Sequence, residues 1–150
     1  MPEAKTLKRA EKDKAEGKAP STQAGEFIRE EMHHIREGEH GARSSKQAIA
    51  IGLSKARRAG VELPPPSRGS AQLRHKAEQD LAKGHEGNRG TSTRRSQASL
   101  RALRREGQGA ASKRLLSAQA RSSAHRRTAN ERSTAARRAA RTRARGAGRM

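Results

Sequence analysis

The stretch SSKQAIAIGLSKARRAGVEL, residues 44–63, contains both a helix start signal and a helix stop signal. Ser44 and Gln47 have the spacing of a capping box, which predicts that a helix begins here. Between the two signals, apolar and small residues recur at steps of three and four, as on one buried helix face. Gly60 suits the left-handed position that ends a helix, and prolines at 64–66 prevent its continuation. The stretch therefore predicts one amphipathic helix.

The opposite side of this predicted helix is basic. Lys46 and Arg57 fall close together on the helical wheel, with the small side chains of Ala50 and Ser54 beside them. Long cations separated by small side chains can approach a phosphate backbone closely. Taken alone, this face fits a solvated basic surface equally well.

A second amphipathic helix is predicted between Ser21 and Gly38, because apolar residues again recur at helical spacing. The link to Ser44 contains two glycines and can reverse the chain, so we expect an antiparallel hairpin. Its apolar side chains are expected to face one another, namely Phe27, Ile28, Met32 and Ile35 against Ile49, Ile51, Leu53 and Ala56. Two helices bury too little surface to be stable alone, so we expect self-association, a third helix or a ligand to complete them, and a homodimer through the hairpin's apolar face is one candidate.

The rest of the chain is divided by composition. Residues 1–20 are polar and are predicted to be a disordered N-terminus, and 21–66 form the hairpin region. Residues 67–98 are predicted to be a linker with one short helix, and 99–150 a basic helical tail rich in arginine and alanine. The predicted fold class is all-α, with a short helical hairpin over about 21–60 and an extended, partly disordered tail.

Charge is distributed unevenly over the 150 residues, whose formal net charge is +20. Residues 1–66 have 13 Lys and Arg against 10 Asp and Glu, whereas 67–150 have 22 against 5. No large apolar residue occurs over 117–149, so this part cannot form a core of its own. Cations without a core face solvent or a partner, and this distribution indicates a polyanion.

The predicted partner is duplex DNA, with structured RNA as the alternative. Phe27 is the only aromatic residue, so the stacking platforms of single-strand binding proteins are missing. Arginine favours bidentate phosphate contacts and minor-groove insertion. The predicted nucleic-acid-binding residues are Lys46, Lys55, Arg57, Arg58, Arg94, Arg95, Arg101, Arg104, Arg105, Lys113, Arg114, Arg126, Arg127, Arg137, Arg138, Arg141, Arg143 and Arg145.

Nothing in the sequence predicts an enzyme. Cysteine is absent, and there is no nucleophile elbow or phosphate-binding glycine loop. Histidines and glutamates cluster at Glu30, Glu31, His33, His34, Glu37 and His40, with the E-x-x-H spacing of some carboxylate metal sites. Those sites need matching ligands from further helices, so we expect an exposed polar face, no metal and no cofactor.

The sequence lacks a membrane-spanning stretch and the apolar core of a signal peptide. We therefore expect a cytoplasmic protein located at the nucleoid, without a membrane partner.

The run KQAIAIGLSKARRAG, Lys46–Gly60, resembles a motif of small basic bacterial proteins of unknown function that reads K-Q-A-I-A-I-x-L-S-x-A-R-x-A-G. The resemblance extends over about 21–66, and LRALRREGQGAASKRLLSAQA resembles the Arg/Ala-rich extensions of some members. It implies a short basic helix and a presumed role in DNA binding, and it implies no catalytic residue. The tail also resembles linker-histone tails, although it uses arginine instead of lysine and has no proline after Pro66.

These observations together predict sequence-nonspecific binding of duplex DNA by a histone-like, nucleoid-associated accessory protein that neutralises phosphates. One alternative is an RNA- or ribosome-associated basic protein. The other is a protein-interaction module in which the tail only keeps the protein in solution.

Overall fold

The computed structural model of the protein describes residues 1–87, 90 and 92–148. Its helices are α1 (Ala4–Ala15), α2 (Pro20–Arg36), α3 (Ser45–Arg58), α4 (Ala71–His85), α5 (Thr93–Arg104), α6 (Lys113–His125) and α7 (Ala129–Ala147), with a 3₁₀ turn at Gly109–Ala111. The described residues contain no strand, so the prediction of an all-α protein is confirmed. None of the helices in this part of the chain is long and apolar enough to cross a membrane.

The two ends of α3 have the capping interactions that the sequence predicts. The Ser44 side chain accepts a hydrogen bond from the Gln47 backbone N–H. At the other end Gly60 has φ of 89°, and its N–H donates to the carbonyl of Arg57 at 3.0 Å. The N–H of Val61 donates to the carbonyl of Ala56 at 3.1 Å, which completes a Schellman motif. Local hydrogen bonds therefore determine where α3 begins and ends.

Helices α2 and α3 pack antiparallel and at very close range. A Cβ atom added to Gly52 would lie 2.8 Å from the Cα of Ile28, so only glycine fits at this crossing. Phe27 packs in one buried cluster with Ala56, and Ile35 packs in another with Ala48. Residues early in α2 thus meet residues late in α3, and the reverse holds at the other end.

Much of the core consists of alanine side chains, and some of these come from elements outside the predicted hairpin. One cluster contains Ala42, Ala48, Ala110 and Ala111, and the other contains Ala10 of α1. The predicted free-standing hairpin is therefore only part of the folded structure, because α1, α4 and the 3₁₀ turn all pack against it.

Residues 1–20, predicted to be disordered, are largely helical, and the tail is helical as predicted but without the predicted partial disorder in its described residues. Residues 1–20 contain α1, in which Thr6 and Ala10 are buried. The tail forms α5, α6 and α7, none of which buries a side chain. Of the predicted linker, residues 88, 89 and 91 lie outside the described residues, and the remainder contains α4 and the start of α5.

Helix α4 is attached to α3 through one buried carboxylate. Asp80 is 1 % exposed and accepts hydrogen bonds from Ser54 Oγ at 2.6 Å and Arg58 Nε at 2.7 Å. Lys76 Nζ lies 3.1 Å away on the same helix. Ile51, which was predicted to face α2, instead lines a groove between α3 and α4. The hydrogen bonds at Asp80 therefore hold α4 across a face of α3 that was not predicted to be covered.

Candidate nucleic-acid interface

Three of the four cations predicted on α3 make contacts within the protein. Lys55 Nζ lies 2.7 Å from the Glu31 carboxylate. Arg57 is 7 % exposed and donates to the carbonyls of Leu63 and Pro64 at 3.0 and 3.2 Å. Arg58 pairs with Asp80 as described above. The predicted outward position of Arg57 is therefore wrong, because the chain turns back after Gly60 and presents its carbonyls to the guanidinium.

Lys46 is the fourth cation, and it is exposed at the start of α3 beside the groove lined by Ile51. It is also the only predicted α3 cation for which the described residues supply neither a carboxylate nor a carbonyl partner. The basic face of α3 is thus reduced from four residues to one.

The cations of the C-terminal part are arranged differently. Those predicted on or beside α5, α6 and α7 are all exposed, and none forms an ion pair with a carboxylate of the described residues. They are Arg94, Arg95, Arg101, Arg104, Arg105, Lys113, Arg114, Arg126, Arg127, Arg137, Arg138, Arg141, Arg143 and Arg145. Arg104 alone reaches back to the folded unit, through the Glu39 carbonyl at 3.4 Å.

Helix α7 is held by its first residues. Thr128 and Glu131 form the predicted capping box, and the hydrogen bond from the Thr128 backbone N–H lowers the pKa of Glu131 below its ordinary value. Arg68 binds both the Glu131 carboxylate, at 3.1 Å, and the Arg126 carbonyl. The single acidic residue of α7 is thus engaged at its N-terminus, and the arginines from 137 onward lie at least six residues away from it along the helix.

A groove of about 640 Å³ lies between α7 and the start of α2. It is lined by Arg138, Arg143 and the acidic Glu131 of α7, by Arg127 just before that helix, and by Ser21 and Thr22 of α2. Helix α2 begins there without a side-chain cap, so the positive end of its dipole lies at the groove. The groove therefore combines guanidinium groups with a helix N-terminus, both of which favour an anion.

The Glu/His cluster was predicted to be an exposed face, which holds for His33 and Glu37 but is wrong for the other four residues. Glu30, Glu31, His34 and His40 are all buried, at 3, 0, 9 and 8 % exposure. Residues 1–3 and α1 cover one side of α2, and the α2–α3 link folds His40 back onto it. Sequence reasoning missed this because it treated the N-terminus as disordered.

The same cluster contains the residues that could hold a metal. One donor atom from each of Glu31, His34 and His40 lies within 4.8 Å of the other two. A hydrogen bond from His34 lowers the pKa of the neighbouring Glu3 carboxyl below its ordinary value. The described residues contain no other group of three such ligands.

Residues 20–67, about a third of the chain, match a family model described as a family of unknown function (DUF6496). This range contains α2, the link and α3, together with the prolines that follow. No curated protein and no solved structure matches the chain. The segment that resembles known sequences is thus the α2–α3 pair, with the buried Glu/His cluster between it and the N-terminal residues.

Proposed function

We propose that this protein binds duplex DNA without sequence preference, through phosphate contacts made by arginines of α5, α6 and α7. The observation that carries the proposal is α7, which buries no side chain and whose last five arginines are exposed without a carboxylate partner among the described residues. A helix of this kind gains little from packing, and its like charges at three- and four-residue spacing repel one another. A polyanion would relieve that repulsion.

The length and charge spacing of α7 suit a duplex. Its 19 residues extend about 28 Å, which is close to eight base pairs of B-DNA. Arg137, Arg138, Arg141 and Arg145 lie on one side of the helix at steps of one, three and four. Alanines occupy most positions between them, so little bulk prevents the guanidiniums from reaching phosphates. The neighbouring groove at the start of α2 offers a further place for a phosphate.

Phosphate neutralisation without base reading would make this an accessory protein of the nucleoid. The absence of tryptophan and tyrosine argues against binding by stacking on single strands. Arginine also suits the minor groove, where architectural proteins insert it.

The test is binding to a labelled duplex between 50 and 200 mM salt, measured by fluorescence anisotropy. We expect the logarithm of the association constant to fall linearly with the logarithm of salt concentration, with a slope of about −0.9 per phosphate contacted. Replacement of the five α7 arginines, at 137, 138, 141, 143 and 145, by glutamine should reduce the slope by about 3 to 4.5. Glutamine keeps a helix propensity similar to that of arginine.

A matched control removes the same charge elsewhere. Replacing the exposed Lys5, Lys8, Lys12, Lys14 and Arg29 by glutamine also lowers the net charge by five. If α7 is the contact surface, this control should change the slope by less than about 1. Equal losses for both variants would mean that total charge alone determines binding, and no loss for the α7 variant would overturn the proposal.

RNA binding is the alternative that the same surface supports, and duplex RNA of equal length provides the comparison. Tighter binding to the RNA at equal salt would favour the ribosome-associated function. In lysates, partners that survive both DNase and RNase would favour the protein-interaction function.

A further inference from the structure

The buried end of the Glu/His cluster contains carboxylate oxygens without hydrogen bonds. Both oxygens of Glu31 and Oε1 of Glu30 are buried and receive no hydrogen bond of acceptable geometry from the described residues. Lys55 Nζ lies 2.7 Å from Glu31 Oε2, but its alignment does not make a hydrogen bond. Burying a charged carboxylate without hydrogen bonds lowers the stability of the fold unless further positive charge lies beside it.

The charges around Glu31 do not balance when the histidines are neutral. Glu30 and Glu31 are two buried carboxylates, whereas the Glu3 carboxylate is half-exposed and only the backbone N–H of Glu3 contacts Glu30 Oε2, at 3.0 Å. Lys55 contacts both buried carboxylates and supplies a single positive charge. One further positive charge is therefore needed, and a protonated imidazole or a metal cation would supply it.

The hydrogen bonding of His40 favours the cation. Its Nδ1 lies 3.0 Å from the Gly41 carbonyl, which can only accept, so Nδ1 carries the proton. The Nε2 of the neutral ring then has a free lone pair, and it points to Glu31 Oε1 at 3.2 Å. Metal-binding histidines commonly have this arrangement, with the other ring nitrogen donating to a backbone carbonyl.

We propose that Glu31, His34 and His40 bind a divalent transition metal ion, with Zn²⁺ as the best-fitting ion. Tetrahedral Zn²⁺ with bonds of about 2.0–2.1 Å places its ligands about 3.3 Å apart, close to the separation of Glu31 Oε1 and His40 Nε2. One ring nitrogen of His34 is the third ligand and lies within 4.8 Å of the donor atoms of Glu31 and His40. Side-chain rotations that move these atoms by about 1 Å complete the site. Two imidazoles and one carboxylate form a ligand set of known zinc sites.

The fourth position faces the protein surface. His34 is the most exposed of the three ligands, and the half-exposed side chain of Glu3 lies beside it at 3.1 Å. An ion can therefore enter past Glu3, and water or the Glu3 carboxylate completes the coordination. Lys55 remains on the far oxygen of Glu31, where it neutralises Glu30. The ion would join α2 to the α2–α3 link and, through Glu3, to the start of α1.

The experiment uses the full chain without an affinity tag, with Zn²⁺ titrated at pH 7.5 against a chromophoric chelator. We expect one equivalent of Zn²⁺ to bind, and a saturating excess to raise the melting temperature by about 5–10 °C. Glu31→Gln and His40→Gln should each weaken binding at least tenfold. The matched control is His33→Ala, because His33 is 64 % exposed on the same helix and is not a proposed ligand.

X-ray absorption on the Zn²⁺-loaded wild-type protein tests the ligand set without any substitution, so variants that fail to fold do not weaken the test. Two imidazoles with oxygen ligands are the expected shell. Failure of the folded wild-type chain to bind one equivalent would overturn the proposal. A shell with one imidazole or none, or an equal loss of binding in His33→Ala, would also overturn it.

Discussion

Replacement of Gly52 by alanine should destabilise the protein, although alanine is the better helix former. The added Cβ would lie 2.8 Å from the Cα of Ile28 and 2.9 Å from its Cγ1. Carbon atoms in favourable contact are about 3.5–4.0 Å apart. The Ile28 side chain can turn away, but its Cα belongs to the backbone of α2. The two helices must therefore separate by roughly 0.7–1 Å at their crossing.

The cost of that separation can be set against the gain in helix propensity. Overpacking a dense core costs about 1–3 kcal/mol, and here the fully buried Ala48 and Ala56 on either side of Gly52 also lose contact. Replacing glycine by alanine inside a helix contributes about 1 kcal/mol in the opposite direction. We expect a net loss of up to about 2 kcal/mol in the free energy of unfolding, or up to about 8 °C in melting temperature.

Gly25→Ala is the matched control, because Gly25 lies inside α2 and no atom lies within 4 Å of its added Cβ. The same substitution should there stabilise the protein by about 0.4–1 kcal/mol. Urea denaturation followed by circular dichroism measures both variants. If Gly52→Ala proves as stable as Gly25→Ala, the close crossing of α2 and α3 is wrong.

Two further substitutions test two different parts of the protein, namely the attachment of α4 to α3 and the start of α7. Asp80→Asn should lower the free energy of unfolding by about 2–3 kcal/mol, because Asp80 accepts charge-assisted hydrogen bonds from Arg58 and Lys76. Burial raises the pKa of Asp80, but these hydrogen bonds and that of Ser54 outweigh it, and the pKa lies below its ordinary 3.8. The difference between wild type and variant should therefore persist at neutral pH and shrink as pH falls below about 4, measured by urea titration. Thr128→Ala should accelerate amide hydrogen exchange in α7 about fivefold without changing the melting temperature, because α7 buries no side chain.

The elements that sequence predicts well here are those specified by local chemistry. Ser44 and Thr128 cap α3 and α7 as their spacing predicts, and Gly60 ends α3 with a positive φ. Each of these interactions joins residues no more than five apart in the chain, so no tertiary information is needed. The close crossing of α2 and α3 was also indicated by the sequence, since glycine is unfavourable inside a helix and Gly52 therefore suggests close backbone packing.

The elements that sequence predicts poorly depend on small residues and on distant partners. Helix α1 packs through Thr6, Leu7 and Ala10, which a count of large apolar side chains does not reveal as a core face. Ala110 and Ala111 complete a cluster more than 60 residues away from Ala48. The role of Arg57 was missed because its carbonyl partners become available only after the chain reverses at Gly60.

The contacts of the Lys and Arg side chains distinguish the α2–α3 region from the C-terminal helices, a difference that composition alone does not show. Six of the seven Lys and Arg residues between 20 and 67 contact a carboxylate or a carbonyl within the protein, and Lys46 is the exception. The six are Arg29, Arg36, Arg43, Lys55, Arg57 and Arg58. The segment that matches a known family therefore uses most of its positive charge in contacts within the protein. The cations that we propose for phosphate binding lie on α5, α6 and α7, outside the matched range. A property shared across the family would then be sought in the helix pair itself, where Glu31 and His34 lie buried on α2.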